Sequence, residues 1–210
     1  AAMKVLAQAA SDTEDARTYE LLQDMQTELF KTEQYVEMVL TYVRMEDMSG
    51  DLMLKEYALD NLIKQALKKY SRMFAMQKLA LHYEALRVTV TTDEKWLIFV
   101  LEQILSNAIK YSGENHAVTI HINRNEADNT CEFVISDQGI GIRKEDLPRI
   151  FEKGYTGFNG HEDKRSTGIG LYLCREVLQK LGHTIRIQSE IGEGTVVTVG
   201  FYKDTIDVRD

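Results

Sequence analysis

The 210-residue sequence has one proline (Pro148) and two cysteines, Cys131 and Cys174. A single proline excludes a proline-rich linker, and two cysteines are too few for a disulfide framework or a cysteine-rich zinc site. The longest apolar run, Trp96 to Leu101, has six residues, whereas a membrane-spanning helix needs roughly 18. Basic residues are also few: 25 Lys and Arg stand against 33 Asp and Glu, a net charge of −8. This balance argues against nucleic-acid binding, because counterion release needs a basic face.

The rest of the composition, 44% apolar and 28% charged residues, is ordinary for a soluble globular protein. A chain of this length predicts one or two domains. The pattern changes at residues 48–51, Met-Ser-Gly-Asp, where a long helix-like segment meets a segment of alternating strands and helices. We therefore predict two domains, residues 1–50 and residues 51–210.

The first domain has the pattern of a long amphipathic helix. Residues 11–14, Ser-Asp-Thr-Glu, fit a capping box, and no glycine or proline follows before Gly50. A heptad-like apolar seam is joined by a second apolar set, so the face is wider than that of a two-stranded coiled coil. The seam comprises Leu22, Met25, Leu29, Val36, Val39 and Val43, and the second set Phe30, Tyr35, Met38, Tyr42 and Met45. We predict part of a helical hairpin that forms a bundle, with residues 3–10 ending the preceding helix. A core helix inside one domain is the alternative.

The pattern of the second domain predicts an α/β segment whose later strands pair as hairpins. A second capping box, Thr91 and Glu94, opens a helix that continues through Tyr111. The other predicted helices span residues 60–78 and 170–181. The predicted strands span residues 52–57, 79–84, 87–91, 117–123, 130–136, 183–189 and 195–202.

The helix that ends at Tyr111 carries a polar stripe beside an apolar face. Gln103, Asn107 and Lys110 follow one another at helical spacing along the edge of that face. The amide oxygen of Asn107 is a hard ligand of the kind that Mg²⁺ prefers, and the ammonium of Lys110 suits phosphate. The alternative is an ordinary solvated helix flank.

Two glycine motifs lie farther along the chain. Asp137, Gly139 and Gly141 follow a predicted strand, where a carboxylate can accept from an exocyclic amine such as that of adenine. The alternative is a common Asp-x-Gly turn. Gly168 and Gly170 open a helix, where free backbone N–H groups favour phosphate. This second motif fits neither the Walker A pattern nor the dinucleotide fingerprint.

Residues 152–166 separate the two glycine motifs. The segment is polar and glycine-rich, and it carries Lys153, Lys164 and Arg165. Long loops of this kind inside a compact domain tend to be lids or binding loops. We expect the segment to be mobile without a ligand; a surface excursion without function is the alternative.

Taken in order, these motifs resemble the boxes of the histidine-kinase branch of the GHKL ATPases, which have the Bergerat fold. The N, G1, F, G2 and G3 boxes correspond to residues 103–111, 137–141, 149–152, 168–171 and 192–195, over some 95 residues. The resemblance implies an α+β fold, a two-layer α/β sandwich preceded by the partial helical hairpin. It also implies a histidine protein kinase that uses ATP and Mg²⁺.

The resemblance assigns roles residue by residue. Asp137 would accept the adenine amine beside Gly139 and Gly141, with Thr195 assisting through water. Gln103 and Asn107 would be the catalytic positions, and Asn107 would ligate Mg²⁺. Phosphate and ribose would meet Lys110, Tyr111, Gly168, Gly170 and Leu171. Many family members carry an arginine where Tyr155 and Thr156 stand here, so the candidate cations for the γ-phosphate are Lys153, Lys164 and Arg165.

None of the five histidines has the setting of a phosphoacceptor, a histidine followed by an acidic residue and then a proline one turn on. They are His82, His116, His121, His161 and His183, and surface or packing roles are expected for all of them. We therefore expect a fragment that begins just past its acceptor histidine. Its hairpin would form a weakened homodimer, and a response regulator would receive the phosphoryl group.

Residues 32–51, 93–112 and 149–183 further resemble the intramembrane-sensing kinases of Gram-positive bacteria that work with peptide-antibiotic transporters. This likeness implies the cytoplasmic portion of a cell-membrane protein with an ABC transporter as partner. Two alternatives remain open from the sequence. One is a standalone GHKL serine kinase, which typically lacks the helical seam, and the other is a degenerate ATPase-like docking module, against which Asn107 and Asp137 argue.

Overall fold

The computed structural model describes residues 16–45, 48, 52–84, 87–113, 116–125, 130–157, 167–201 and 206–207. The chain divides into two compact units, Ala1–Met48 and Ser49–Asp210, so the division falls two residues before the predicted boundary. The predicted cap at residues 11–14 and the candidate cations Lys164 and Arg165 lie outside the described residues. Among the helices that are described, none is long and apolar enough to cross a bilayer.

The first unit contains one described helix, α1 (Ala16–Met45), of 30 residues. Its apolar side chains lie on two faces with different exposure. Met38 and Met45, from the second apolar set, are buried, and Phe30 and Tyr42 are half-buried. The other face stays exposed on the single chain, and it carries Leu21, Met25, Leu29, Tyr35, Val36, Val39, Leu40 and Val43. Most of the predicted heptad seam is therefore accessible to a partner.

The second unit contains three helices and eight short strands among its described residues. The helices are α2 (Leu59–Met76), α3 (Glu94–Tyr111) and α4 (Gly170–Lys180), and a 3₁₀ turn spans Leu147–Arg149. The strands are β1 (Lys55–Ala58), β2 (Ala80–Tyr83), β3 (Thr89–Thr92), β4 (Ala117–Asn125), β5 (Thr130–Asp137), β6 (Thr184–Glu190), β7 (Gly194–Phe201) and β8 (Ile206–Asp207). Every predicted helix and strand of this unit is present, with ends within about three residues of those expected.

The strands form two sheets. The larger has five strands in the order β2-β4-β5-β7-β6, and all neighbours are antiparallel except β2 and β4. The smaller pairs β1, β3 and β8. In the larger sheet Asp137 pairs with Thr195 in the β5–β7 register. The topology thus brings two of the predicted site residues side by side at one end of the sheet.

Helices cover the larger sheet and form the core with it. The predicted apolar face of α3 is fully buried, and it comprises Leu97, Val100, Ile104 and Ala108. Side chains of the central strands are buried as well, including Val118, Ile120, Phe133, Ile135 and Val199. An ion pair of 2.6 Å between Lys69 Nζ and Glu102 Oε2 joins α2 to α3. One layer of helices on one sheet confirms the predicted two-layer α+β fold.

The cap of α3 corrects one expectation. The Thr91–Glu94 box was expected to open the helix, but the capping residue is Asp93. Its Oδ1 accepts from the backbone N–H of Lys95 at 3.0 Å and of Trp96 at 3.3 Å, and its Oδ2 accepts from Met53 N at 2.9 Å. Thr91 cannot cap because it belongs to strand β3, and aspartate is among the best capping residues.

His183 has a packing role, as expected. It is 2% exposed, its ring meets that of Phe201 edge-on at 4.8 Å, and its Nε2 lies 3.2 Å from Thr92 Oγ1. Burial lowers the pKa of His183 to about 4, since a buried imidazolium loses its hydration.

Acid should therefore destabilise the fold through His183. Below pH 6.5 the unfolded chain protonates this histidine and the native chain does not, so the free energy of unfolding falls until about pH 4. We expect a loss of about 3 kcal/mol at this site. Urea unfolding at pH 7 and pH 4.5 measures it: the pH dependence should shrink in His183→Gln and persist in the control His82→Gln. Equal pH dependence in all three proteins would contradict this assignment.

Candidate functional site

Asp137 occupies the centre of the predicted site. It ends β5 and is 7% exposed. Its Oδ1 accepts from Gly139 N at 2.8 Å and from Thr195 N at 3.2 Å. Within the described part of the chain no hydrogen bond engages Oδ2. The carboxylate is thus fixed through one oxygen, while the other is left to accept from a ligand.

The pKa of Asp137 is raised, chiefly because burial disfavours the charged form. The backbone N–H groups of Gly139 and Thr195 stabilise that form and oppose the rise. A low-dielectric setting strengthens any hydrogen bond that the carboxylate makes to a ligand donor.

The glycines around Asp137 are required by close backbone contacts. A Cβ atom on Gly139 would lie 2.5 Å from Tyr111 O. On Gly141 and Gly194 it would lie closer than 3.0 Å to the backbone of Glu190 and of Asp137, respectively. Both of these glycines also have positive φ, +72° and +102°. Only glycine both avoids the backbone contact and readily adopts the positive φ, so these two glycines are needed for the site to form.

Backbone hydrogen bonds join three motifs that are distant in sequence. Ile140 N donates to Tyr111 O at 3.1 Å, which ties the first glycine motif to the end of α3. Gly192 N donates to Ile140 O at 3.0 Å, which ties the turn between β6 and β7 to the same loop. The N, G1 and G3 boxes of the sequence therefore meet around Asp137.

Ser189 is a site residue that the sequence analysis missed. Its hydroxyl donates to Gly194 O at 2.6 Å, accepts from Ile142 N at 2.9 Å and lies 3.0 Å from Thr195 Oγ1. Its partner in the β6–β7 register is Thr195. The signal in the sequence was a pair of hydroxyl residues, Ser189 and Thr195, on either side of a turn. It could be used only once the pairing of β6 with β7 was known.

The polar stripe of α3 lies beside this centre. Gln103 and Asn107 are half-buried and Lys110 is exposed, with its ammonium 4.9 Å from the ring centroid of Tyr111. A Cβ atom on Gly170 would lie 2.9 Å from Gln103 Oε1, so the start of α4 approaches the stripe closely. The side-chain amide of Asn107 makes no hydrogen bond to any described residue, which leaves its oxygen for a ligand or a cation.

The second glycine motif forms the start of α4. Gly168 has φ of +65°, and its carbonyl accepts from Gly154 N at 2.9 Å. No side chain caps α4 at Ile169, so the N–H groups of the first turn, which includes Leu171, suit an anion. Lys153 is exposed just before this contact. The other two candidate cations, Lys164 and Arg165, lie outside the described residues.

Comparison with known proteins identifies the family. Residues 92–205 match the family described as histidine kinase-, DNA gyrase B-, and HSP90-like ATPase. The chain belongs to this family. The match begins just before α3 and extends past β7, so it includes all the boxes described above and confirms the resemblance drawn from the motifs.

Several similar proteins are named as sensor proteins or sensor kinases. The chain is 32% identical over 186 residues to the sensor histidine kinase YxdK of Bacillus subtilis, covering 86% of this chain and 56% of that protein. It is 35% identical over 166 residues to the sensor protein BceS of Halalkalibacterium halodurans, covering 79% and 49%. The sensor protein kinase GraS of Staphylococcus aureus is 43% identical over 112 residues, covering 53% and 32%. The chain spans about half the length of the first two relatives.

Solved structures agree on the fold. Full-length ShkA in complex with AMPPNP superposes with a TM-score of 0.68 at 18% identity, covering 95% of this chain and 41% of that one. The catalytic domain of histidine kinase ThkA gives a TM-score of 0.60 at 21% identity, covering 72% and 96%. The family's ATP-binding fold is therefore the fold of this chain.

Proposed function

We propose that this chain is the ATP-binding kinase core of a two-component sensor histidine kinase. It would transfer the γ-phosphate of ATP to a histidine that is not among its own five, and from there to a response regulator. The observation that carries the proposal is Asp137: a buried carboxylate, fixed through one oxygen and open at the other, at the meeting point of three glycine-rich or polar motifs.

Adenine recognition follows from the geometry around Asp137. Its Oδ2 would accept from the exocyclic amine of the base. The hydroxyl of Thr195, 3.0 Å from that of Ser189, would hold a water between the protein and the ring. Gly139 and Gly141 keep this wall free of side chains, so that a flat ring can approach the backbone.

The other end of the nucleotide would lie along α3 and the start of α4. Asn107 fits Mg²⁺ because its amide oxygen is a hard ligand with no other partner among the described residues. When bound, Mg²⁺ neutralises charge on the phosphates. Lys110 and Tyr111 would contact phosphate and ribose, and the first turn of α4 at Gly168, Gly170 and Leu171 would hold the phosphate tail.

These groups position substrates and neutralise charge, which is most of what phosphoryl transfer asks of a protein. Gln103, held against Gly170, would orient the phosphate end next to Asn107. The γ-phosphate also needs a cation, and Lys153 is the described candidate. Lys164 and Arg165 remain the other two.

The exposed apolar face of α1 supports a homodimer. A contiguous face of eight large apolar side chains is stabilised when a second copy covers it, and a four-helix bundle is the simplest symmetric solution. We further propose that the chain is the cytoplasmic portion of a cell-membrane protein that works with an ABC transporter. The finer resemblance to intramembrane-sensing kinases supports this step.

The proposed function predicts ATP binding without self-phosphorylation. An acceptor held in line about 3 Å from the γ-phosphorus reacts orders of magnitude faster than one that diffuses in. Because none of the five histidines has an acceptor's setting, we expect Mg²⁺-dependent ATP binding by calorimetry and only slow hydrolysis. Incubation with ATP labelled at the γ-phosphate should leave no stable label on the protein.

A longer chain that carries the acceptor helix should gain an acid-labile, base-stable phosphoryl group on histidine. Stable label on a serine of the 210-residue chain would favour a standalone serine kinase instead. Failure to bind ATP would favour a docking module. The names of the relatives, all sensor proteins or sensor kinases, support the histidine kinase over both.

A further inference from the structure

We propose that Tyr155 is a positioning residue for the phosphate end of the nucleotide: its side chain is anchored on Asp146 and Arg149, and its backbone supports the Gly168 turn. The inference deepens the proposed function and rests on it. As noted above, many family members carry an arginine where Tyr155 and Thr156 stand here. Tyr155 would have a different role from that arginine.

The side chain of Tyr155 is held at two points. Its hydroxyl donates to Asp146 Oδ1 at 2.5 Å, and the guanidinium of Arg149 lies over its ring at 4.2 Å from the centroid. Arg149 is itself held by an ion pair of 3.0 Å between its Nε and Glu152 Oε2. Three side chains within residues 146–152 thus fix the tyrosine, directly through a charge-assisted hydrogen bond and a cation–π contact and indirectly through the ion pair.

The phenol keeps its proton at neutral pH. The hydrogen bond to Asp146 is the largest of the effects that raise the pKa of Tyr155, and the neighbouring carboxylates add to it. A protonated hydroxyl is a donor, which is what the Asp146 carboxylate accepts.

The backbone at Gly154 and Tyr155 lies against the second glycine motif. Gly154 N donates to Gly168 O at 2.9 Å, and Tyr155 N donates to Glu152 O at 3.2 Å. A Cβ atom on Gly168 would lie 2.7 Å from Tyr155 N, so the two segments are in direct backbone contact. Two residues beyond Gly168, α4 begins with the uncapped N–H groups assigned to phosphate. Anchoring Tyr155 therefore holds the turn that presents these groups.

The anchor and the adenine centre are separate, which makes the inference testable. Asp137 is held by Gly139 and Thr195, and no hydrogen bond between described residues joins either of them to Tyr155. Loss of the anchor should weaken binding of the phosphate tail and leave recognition of the base intact. The discriminating quantity is the ratio of the affinities for ATP and AMP.

Two variants remove the anchor in steps. Tyr155→Phe keeps the ring beneath Arg149 and removes the hydrogen bond to Asp146, whereas Tyr155→Leu removes both contacts. Calorimetry with ATP, ADP and AMP should show an ATP affinity lowered about three- to tenfold in Tyr155→Phe, in line with the loss of one hydrogen bond. The loss should be larger in Tyr155→Leu, and the affinity for AMP should stay within about twofold of the parent in both variants.

Tyr83→Phe is the matched control. Tyr83 also donates its hydroxyl to an aspartate, Asp60, but on β2 and at the start of α2, so its removal should leave the ATP-to-AMP ratio unchanged. An unchanged ratio in both Tyr155 variants would overturn the inference, as would an equal loss for ATP and AMP. Absence of ATP binding by the parent chain would instead overturn the proposed function.

Discussion

Asp137→Asn should reduce the affinity for ATP by about 100-fold. The oxygen that accepts from Gly139 and Thr195 can be kept by the asparagine, so the loop around it should hold its shape. The amide nitrogen then replaces Oδ2 and presents a donor to the adenine amine, which is also a donor. Losing a buried charge-assisted hydrogen bond and leaving a donor unmatched amounts to about 2–3 kcal/mol.

The same exchange should narrow the preference for adenine over guanine. Guanine carries a carbonyl oxygen where adenine carries its amine, and the new amide nitrogen can donate to it. Calorimetry with ATP and GTP on the parent, on Asp137→Asn and on the exposed control Asp24→Asn measures both effects. Parent-like ATP affinity in Asp137→Asn would contradict the assignment of Asp137 to the base.

Local patterns predicted the secondary structure of the second unit because each element has a clear period. The helix α3 repeats its apolar residues every three to four positions. In the hairpins β4–β5 and β6–β7, apolar and polar residues alternate along strands that are joined by polar turns. The candidate site was predicted through the resemblance of five motifs, taken in order, to the GHKL boxes, and the structure brings three of these motifs together around Asp137.

The parts that could not be predicted depend on partners far away in the chain. The parallel pairing of β2 with β4 and the separation of β1, β3 and β8 into a second sheet are set by packing rather than by local pattern. Asp93 rather than the predicted Thr91 caps α3, because strand β3 extends through Thr92. Ser189 contacts Thr195 and Tyr155 contacts Asp146, and only the folded chain shows which partner each residue meets.

Gly194→Ala should be strongly damaging to both the fold and the site. Gly194 has φ of +102°, outside the region that alanine adopts. Its Cβ would meet the carbonyl of Asp137 closer than 3.0 Å and would lie 2.9 Å from Gln138 Cα, both of them backbone atoms that cannot rotate away. Relief requires β5 and β7 to separate where Asp137 pairs with Thr195. We expect a loss of about 3 kcal/mol or more in the free energy of unfolding, together with loss of ATP binding.

Gly192→Ala provides the matched control for that substitution. Gly192 belongs to the same turn and also has positive φ, +82°, but a Cβ there meets nothing within 4 Å. Only the backbone strain remains, which is worth about 1–2 kcal/mol, and because Asp137 is not displaced, ATP binding should persist. Urea unfolding and calorimetry on both variants separate the two effects. If Gly194→Ala were no less stable than Gly192→Ala and bound ATP equally well, the close contact between the G3 turn and Asp137 would not be what holds the carboxylate in place.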